Sequence, residues 1–321
     1  MMRFGVIGTG RITRRLVVDL QSTNGVEVTA MASRDRQRAR WYADQFGVKG
    51  AVGYDELFQR DDVDAVYIAV PPSLHRDLCC QAAENGKHIL CEKPLAMDFG
   101  QAMEIANACQ QAGVRWLDAT GWLHHERTAA FADWIAKDRL GSIGHISAAV
   151  SFYRPFQSNE HRLDPKLGGG CLLDLAWYTC GLVRYATARM PTKVFASSVS
   201  ESGVPMRVNG MLWFDQDVTA SVSCGYDTAT RKWFEIAGSK ASLICDDFTR
   251  PWADRPARCW IHEASGAVQQ EHFEGCQERA MIGTFADLET DLTSLQQQAI
   301  DTHQILDAIS RSTVEQRVVE I

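Results

Sequence analysis

The feature that most constrains the fold is the first apolar run, residues 3–8, which leads directly into a Gly-x-Gly turn and an amphipathic stretch. Gly8 permits a tight turn, and Gly10 lets the backbone come close to a ligand. The amides that open the following helix supply N–H donors and a positive dipole end, which suit phosphate groups. A dinucleotide phosphate site is predicted at Gly8, Thr9, Gly10, Arg11 and Ile12. Thr13 replaces the third glycine of the usual fingerprint, so an ordinary strand-to-helix turn stays open as an alternative.

The length and charge of the chain narrow the class of partner. Its 321 residues are enough for two domains, and 45% hydrophobic with 23% charged residues is typical of a globular protein. The net charge of −7 argues against a nucleic-acid surface, because such surfaces are basic. We therefore expect a small-molecule partner, with no nucleic acid and no membrane involved.

The cysteines and the N-terminal residues indicate the cellular compartment of the protein. Ten cysteines are scattered without a Cys-x-x-Cys pair, which is typical of reduced, buried thiols rather than of a disulfide framework. Met1, Met2 and Arg3 lead straight into the first strand, leaving no room for a signal peptide, and no apolar run approaches the length of a membrane span. We expect a cytoplasmic protein. Since no metal-ligand spacing is visible, we also expect chemistry without a metal.

Residues 3 to about 120 alternate apolar runs with amphipathic stretches, the pattern of a doubly wound parallel sheet. Strands are predicted at 3–8, 26–33, 64–70, 88–91 and 115–119, and helices at 11–22, 35–46, 74–85 and 99–112. After about residue 145 the segments lengthen and alternate in polarity, which is typical of an open, largely antiparallel sheet. Its strands are predicted at 143–153, 192–200, 206–214, 218–224, 231–237, 241–245, 258–263 and 267–273. One helix at 170–186 interrupts this sheet, and residues near 283–311 are predicted to be helical.

The end of the second strand bears on the choice of cofactor. An NAD-selective site usually carries an acid there to bind the ribose hydroxyl, whereas this chain has Ser33 and Arg34. A hydroxyl and a guanidinium suit a 2′-phosphate, and Arg38 lies one helical turn beyond as a second donor. Asp35 is expected to cap the next helix. NADP is therefore predicted, with NAD kept as the alternative.

Three further motifs carry a family resemblance. They are Pro71-Pro-Ser73-Leu-His75 after one strand, Glu92-Lys93-Pro94 after the next, and Gly168-Gly-Gly-Cys-Leu-Leu-Asp174-Leu-Ala-Trp-Tyr178. Together with the Gly-x-Gly opening they resemble the Gfo/Idh/MocA oxidoreductase family over essentially the whole chain. Tyr178, where many members have histidine, is similar to the branch that includes glucose-fructose oxidoreductase, dimeric dihydrodiol dehydrogenase and xylose dehydrogenase.

The resemblance implies an α/β fold with two domains. An N-terminal Rossmann domain with a doubly wound parallel sheet, residues 1–120, would bind the dinucleotide. A C-terminal α/β domain built on an open, mostly antiparallel sheet, residues 121–321, would bind substrate and form a homodimer or homotetramer through that sheet. The family binds its substrate between the domains. Pro71, Ser73, His75 and Glu92 would contact or position the nicotinamide, and plain helix capping by Ser73 is the alternative.

The same resemblance implies hydride transfer between nicotinamide and a carbon of a sugar or another polyhydroxylated substrate. Lys93 projects at the carboxyl end of the sheet, where open α/β folds bind ligands. Asp174 and Tyr178 are four residues apart, which places them on one helix face. Tyr178 would transfer the proton, Lys93 would lower the pKa of Tyr178, and Asp174 would bind a substrate hydroxyl.

Two other functions remain open from the sequence. One is a regulator that binds NAD(P) without catalysis, and the other is an NAD-assisted glycosidase that oxidises its substrate transiently. The substrate pocket is less defined. Its candidate residues are Trp122, Tyr153, Arg154 and Arg162, and His124 and His125 follow the sixth strand.

Overall fold

The structure, a computed structural model, describes residues 1–153, 155–157, 160–252 and 255–321. The chain divides into two compact units. The first unit contains residues 1–120 and 278–297, and the second contains 121–277 and 298–321. The sequence placed all of 121–321 in the second domain, so the assignment of 278–297 is corrected here.

The first unit is built on a six-stranded parallel sheet with the order β3-β2-β1-β4-β5-β6. The strands are β1 Met2–Ile7, β2 Val26–Ala32, β3 Gly50–Val52, β4 Ala65–Ile68, β5 His88–Cys91 and β6 Trp116–Asp118. The order reverses between β1 and β4, and open α/β sheets bind ligands at the carboxyl ends of the strands at such a point. The predicted doubly wound sheet is confirmed. The three-residue strand β3 was not predicted, because it is too short to show a period.

Five helices connect these strands. They are α1 Arg11–Gln21, α2 Arg36–Phe46, α3 Tyr54–Phe58, α4 His75–Glu84 and α5 Phe99–Ala112. Glycines in the left-handed conformation end two of them, Gly47 after α2 with φ 66° and Gly113 after α5 with φ 67°. Such residues stop a helix because only glycine adopts this backbone freely.

The second unit is built on a nine-stranded sheet with the order β14-β13-β12-β11-β7-β10-β9-β8-β15. Its strands are β7 Ile143–Ser151, β8 Lys193–Glu201, β9 Val204–Trp213, β10 Thr219–Gly225, β11 Arg231–Gly238, β12 Ala241–Cys245, β13 Ala257–Glu263, β14 Val268–Phe273 and β15 Val319–Glu320. Strands β7 and β10 pair in parallel, and the other neighbours run antiparallel. The predicted, mostly antiparallel sheet is confirmed.

The helices of the second half differ from the prediction. They are α6 Glu126–Ala136, α7 Trp177–Thr187, α8 Gln277–Ala286 and α9 Thr293–Glu315. The sequence missed α6, which precedes the first strand of the sheet, whereas the helix expected to interrupt the sheet is present as α7. The predicted helix 170–186 begins with a π-helical turn, Leu172–Ala176, and the helical region 283–311 is two separate helices.

The apolar face of α8 explains the corrected domain assignment. Met281, Ile282 and Phe285 are buried in the core of the first unit, and the ring of Phe285 lies 5.9 Å from that of Phe4 on β1. Burying a large apolar side chain contributes about 1.5–3 kcal/mol. These side chains therefore hold 278–297 on the first unit, although the segment is distant from it in sequence.

Within the described ranges, no helix combines the length and the apolar character that a membrane crossing requires. All ten cysteines are free thiols, and eight of them are buried.

Candidate active site

The turn after β1 has the backbone that a phosphate site requires. Gly8 has φ 113°, and a Cβ atom there would lie 2.1 Å from the carbonyl oxygen of Ala69. Gly10 differs, because a Cβ atom there would meet nothing within 4 Å. Gly8 is thus required by the fold, whereas the space beside Gly10 is open to a ligand. Thr13 is fully buried. The residue that replaces the third glycine of the fingerprint therefore packs where α1 meets the sheet.

The N-terminus of α1 is suited to an anion. Gly10 is the N-cap residue of α1 and has no side chain that could cap the helix. Within the described residues, the first turn of α1 contains no acidic residue. The first N–H groups of a helix lack intrahelical partners and carry partial positive charge. Arg11 and Ile12 are exposed in that first turn. The segment therefore fits the pyrophosphate of a dinucleotide.

Two side chains of α2 form hydrogen bonds with the backbone of the turn after β1. The Tyr42 hydroxyl donates to the carbonyl oxygen of Thr9 at 2.8 Å, and Nη2 of Arg38 donates to the same oxygen at 2.8 Å. Arg14 Nε donates to the Tyr42 oxygen at 3.0 Å. The sequence missed Tyr42, because an aromatic residue on a buried helix face looks like core packing. The sequence predicted Arg38 as a second donor to the phosphate, whereas one amino group of Arg38 donates to the Thr9 carbonyl oxygen.

The end of β2 presents the residues expected to select the cofactor. Ser33 is buried, and its Oγ accepts from the backbone N–H of Asp35 at 3.2 Å. Asp35 caps α2 by accepting from the N–H groups of Gln37 and Arg38, which confirms the capping prediction. Arg34 is exposed between them. Arg34 is thus an exposed cation just after the carboxyl end of β2.

His75 connects two turns at the carboxyl edge of the parallel sheet. Its Nδ1 lies 2.9 Å from the carbonyl oxygen of Pro94 and its Nε2 lies 2.9 Å from that of Val70. The ring is fully buried, and burial lowers its pKa. This geometry favours positioning over direct contact with a cofactor. Pro71 and Ser73 are partly buried beside it, and within the described residues α4 has no side-chain cap, so the capping role for Ser73 is not supported.

Glu92 and Lys93 follow directly after β5. The Tyr67 hydroxyl donates to Oε1 of Glu92 at 2.6 Å. Burial raises the pKa of Glu92, while the Tyr67 hydrogen bond and the charge of Lys93 oppose that shift. Lys93 is therefore close to an acidic side chain at the edge of the sheet.

Asp174 and Tyr178 lie on either side of the junction between the π-helical turn and α7. The residues between them, Leu175, Ala176 and Trp177, are buried, whereas Asp174 and Tyr178 are both partly exposed. π-Helical turns are frequent at functional sites. Both side chains are therefore partly accessible, whereas the three residues between them are in the core.

The carboxylate of Asp174 is fixed by two donors within the second unit. Nε of Arg162 lies 2.7 Å from Oδ2 of Asp174, and the Tyr226 hydroxyl lies 2.9 Å from the same oxygen. Nη1 of Arg162 also donates to Oε1 of Glu160 at 3.2 Å. The sequence named Arg162 as a pocket candidate but missed its pairing with Asp174, and it missed Tyr226 entirely.

The remaining candidates have other roles or lie elsewhere. Trp122 is 1% exposed and packs edge-on against Tyr185 and Phe248, so it belongs to the core of the second unit. His125 is buried and its Nδ1 accepts from the N–H of Arg127 as the cap of α6. Burial lowers the pKa of His124 to about 4, which keeps it neutral at pH 7. Tyr153 is exposed, and Arg154 lies outside the described residues.

Comparison with known proteins identifies the family. Residues 2–118 match the sequence model described as an oxidoreductase family with an NAD-binding Rossmann fold, named GFO_IDH_MocA. Residues 128–244 match the GFO/IDH/MocA C-terminal domain. The chain belongs to the Gfo/Idh/MocA oxidoreductase family. The predicted family, its two-part α/β fold and its class as an oxidoreductase are thereby confirmed.

Individual Gfo/Idh/MocA relatives are similar over most of the chain. D-xylose 1-dehydrogenase (NADP(+)) 2 of Haloferax volcanii is 33% identical over 245 residues, 75% of each chain. The 1,5-anhydro-D-fructose reductase of Ensifer adhaerens is 35% identical over 260 residues, 76% of this chain and 75% of that one. Among solved structures, KijD10, a 3-ketoreductase from Actinomadura kijaniata in complex with NADP and TDP-benzene, superposes with a TM-score of 0.90 at 28% identity, covering 97% of each chain.

Proposed function

We propose that this protein is an NADP-dependent oxidoreductase that transfers a hydride between nicotinamide and a carbon of a sugar or another polyhydroxylated compound. The observation that carries the proposal is the turn from Gly8 to Gly10, combined with membership of a family of oxidoreductases. Two of the relatives described above are named for a sugar or a sugar derivative, and two are named with NADP.

The residues of the first unit fit NADP. The open space beside Gly10 and the amides that open α1 would hold the pyrophosphate, and the exposed Arg34 would bind the 2′-phosphate. Ser33 supports this choice by fixing the start of α2, since its Oγ accepts from the Asp35 N–H. No acid occupies the place of Arg34, so an NAD-selective contact to the ribose hydroxyls has no carboxylate in the expected position.

The chemistry follows from three side chains. The bound nicotinamide supplies the acceptor or donor of the hydride. The Tyr178 phenol takes the proton of the reacting hydroxyl in oxidation and returns it in reduction. Lys93, as an ammonium, donates a hydrogen bond to the reacting oxygen. Asp174 accepts a hydrogen bond from a neighbouring substrate hydroxyl. No step calls on a metal ion, and chemistry without one remains our prediction.

The surroundings of these residues support their roles. Asp174 is held as an acceptor by Arg162 and Tyr226, which suits it to bind hydroxyl groups. Tyr178 is partly exposed although its neighbour Trp177 is buried. The solved structures of KijD10 include a tyrosine-to-phenylalanine variant and two lysine variants, which agrees with a tyrosine and a lysine being of interest in that enzyme.

The test starts with the cofactor. Purified protein is titrated with NADPH and with NADH by fluorescence, and the titrations are repeated with Arg34→Ala. We expect tighter binding of NADPH and a selective loss of that preference in the variant. Equal or tighter binding of NADH would overturn the choice of NADP, and no binding of either would overturn the proposal as a whole.

Turnover is then sought with a panel of sugars, sugar derivatives and diols by following the absorbance of NADPH. Tyr178→Phe should lower kcat by about a hundredfold or more, as removal of a general acid or base does, while NADPH affinity stays unchanged. Product formation without a net change in NADPH would instead indicate the glycosidase. A Tyr178→Phe variant with near-native turnover would contradict the role of the phenol.

We propose in addition that the protein forms a homo-oligomer through the second unit and resides in the cytoplasm. One face of the nine-stranded sheet contacts α7, while the other exposes Phe195 and Met211. Apolar side chains grouped on an exposed sheet face are typical of subunit interfaces. Ten free cysteines agree with a reducing compartment.

A further inference from the structure

The glycine run 168–170 lies where two stretches of backbone come close together. The N–H of Gly170 donates to the carbonyl oxygen of Arg162 at 2.9 Å. A Cβ atom on Gly169 would lie 2.7 Å from the same oxygen, which is closer than Cβ atoms approach in proteins. Glycine is therefore required at 169, since any other residue would push the two stretches apart. The run holds the backbone of Arg162 close to the π-helical turn that contains Asp174.

The side chain of Arg162 joins two acids of the second unit. Its Nε donates to Oδ2 of Asp174 at 2.7 Å, and its Nη1 donates to Oε1 of Glu160 at 3.2 Å. The side chains of Glu160 and Asp174 are 13% and 16% exposed, so water screens these contacts weakly. The guanidinium is planar and rigid, so an acceptor on Nη1 also sets the direction of the Nε–H bond. Glu160 thereby orients the donor that Asp174 receives.

Glu160 is itself fixed through its backbone. Its N–H donates to the carbonyl oxygen of Gln157 at 3.0 Å, and its carbonyl oxygen accepts from the N–H of Leu163 at 3.0 Å. Nδ1 of His161 lies 3.0 Å from Oε1 of Glu160, the oxygen that Arg162 also contacts. The Glu160 carboxylate therefore has a defined position beside the guanidinium. The sequence did not single out Glu160, because an isolated acid in a loop is usually a solvated charge.

Tyr226 holds Asp174 independently of Glu160. Tyr226 is 2% exposed, and its hydroxyl donates to Oδ2 of Asp174 at 2.9 Å. The rings of Phe152 and Phe156 lie 5.1 and 5.0 Å from the Tyr226 ring, and such contacts fix the orientation of an aromatic ring. Removal of the Glu160 side chain should therefore leave Tyr226 and its bond to Asp174 in place. The contribution of Glu160 can thus be measured in a folded protein.

We propose that Glu160 is a positioning residue for substrate binding, which acts through Arg162 to hold the carboxylate of Asp174 in one orientation and thereby selects the configuration of one substrate hydroxyl. The inference rests on the proposed function, in which Asp174 accepts a hydrogen bond from that hydroxyl. A hydrogen bond requires the donor to point at the acceptor, so an oriented carboxylate favours a hydroxyl in one configuration over its epimer. Glu160 itself is assigned no contact with substrate.

The first measurement needs no turnover. The Nε–H of Arg162 is observed by nuclear magnetic resonance in isotope-labelled protein and is identified by its absence in Arg162→Lys. The exchange of this proton with water is compared in wild type, Glu160→Ala and Glu160→Gln. Glu201→Ala is the matched control, because Glu201 is an exposed acid of the same unit on β8.

We expect the Arg162 proton to exchange about threefold faster or more in Glu160→Ala, because the guanidinium loses one of the acids that orient it. Glu160→Gln keeps an oxygen acceptor for Nη1, so its exchange should lie closer to wild type than to Glu160→Ala. Glu201→Ala should match wild type. Equal exchange in wild type and Glu160→Ala would overturn the proposal. A Glu160→Gln protein that exchanges as fast as Glu160→Ala would also contradict it, since charge and not position would then matter.

The second measurement uses a sugar that the panel identifies, with cofactor at saturation. Glu160→Ala should raise KM by about threefold to tenfold with kcat within about twofold of wild type, because the Asp174 carboxylate binds a hydroxyl and takes no part in the chemistry. The preference for this sugar over one of its epimers, expressed as a ratio of kcat/KM values, should fall by about threefold or more. Glu160→Gln should recover most of both losses. A loss confined to kcat would contradict the positioning role.

The two measurements distinguish failure of this inference from failure of the proposed function. If no sugar of the panel is turned over, the proposed function fails, and the exchange of the Nε–H proton still decides whether Glu160 orients Arg162. If sugars are turned over while KM and the epimer preference are unchanged in Glu160→Ala, the proposed function stands and the role of Glu160 is overturned.

Discussion

Arg162 donates from Nε to Oδ2 of Asp174 at 2.7 Å, which holds the partly exposed Asp174 carboxylate in an ion pair within the second unit. Burial lowers the pKa of Arg162, but the charge and hydrogen bond of Asp174 more than offset it, so the pKa is raised overall. Arg162 thus stays charged, and Asp174 is kept as an acceptor. Tyr226 adds a second donor to the same oxygen.

Arg162→Gln is therefore expected to raise KM for the sugar substrate by about tenfold or more, since a hydrogen bond to a charged group contributes about 1.5–3 kcal/mol. Tyr226→Phe loses a neutral donor and should raise KM only a few-fold. Steady-state kinetics with saturating NADPH measure both, and NADPH titration is the control. Unchanged KM in Arg162→Gln would show that Asp174 does not read the substrate through this arrangement.

Arg34 and Arg38 are expected to differ in their effect on cofactor binding. Arg34 is exposed, and Arg34→Ala should weaken NADPH by about tenfold or more while NADH is unaffected, as the loss of a charge-assisted contact to phosphate requires. Arg38 holds the Thr9 carbonyl, so Arg38→Ala should weaken NADPH and NADH alike. Fluorescence titrations with both nucleotides measure this. A selective loss of NADPH in Arg38→Ala would instead assign its main contact to the 2′-phosphate.

Substitutions at the two glycines of the turn after β1 should have different effects, one on folding and the other on NADPH binding. In Gly8→Ala the new methyl would lie 2.1 Å from the Ala69 carbonyl, at φ 113°, so we expect a loss of stability of about 3 kcal/mol or more. In Gly10→Ala the methyl meets no protein atom within 4 Å, so the fold should persist while NADPH binding falls. Thermal unfolding and NADPH titration of both variants provide the measurement. A stable Gly8→Ala protein, or a Gly10→Ala protein with native affinity, would contradict this division.

Local patterns predicted most of the elements. The strands His88–Cys91 and Ala241–Cys245 and the helix Phe99–Ala112 have the predicted bounds, because each is an unbroken apolar or amphipathic run between clear stop signals such as Gly113. The strand Gly50–Val52 could not be predicted, since three residues show no period.

Contacts between distant residues account for what the sequence did not reveal. Asp174 meets Tyr226, which is 52 positions away, and α8 joins a core formed by the opposite end of the chain. The sequence around Tyr226 and around Phe285 contains no motif from which these distant partners could be predicted. The dinucleotide turn was predictable for the opposite reason, because Gly8, Gly10 and the start of α1 are contiguous.

The raised pKa of Asp118 makes a prediction about stability. A carboxyl group whose pKa is about 6 in the folded protein and 3.8 in the unfolded chain binds its proton more tightly when folded. Its contribution is therefore most favourable below pH 3.8 and is lost as the pH rises through 6. Asp118→Asn should gain about 1 kcal/mol relative to wild type between pH 5 and pH 7.5. Urea unfolding at both pH values tests this, and a difference independent of pH would contradict it.

The exposed face of the nine-stranded sheet predicts how a substitution on this face changes the oligomeric state. Met211 pairs with Phe195 on one side and with Ser221 on the other, and Ser221 pairs with Ser147, so these residues form a row across the face. A glutamate at the centre of an apolar subunit interface would be buried without a partner, which is costly. Met211→Glu should therefore convert the oligomer to monomer in size-exclusion chromatography with light scattering. Val314→Glu is the matched control, because Val314 is exposed on α9 and away from this row. A wild-type protein that elutes as a monomer would refute the proposed assembly.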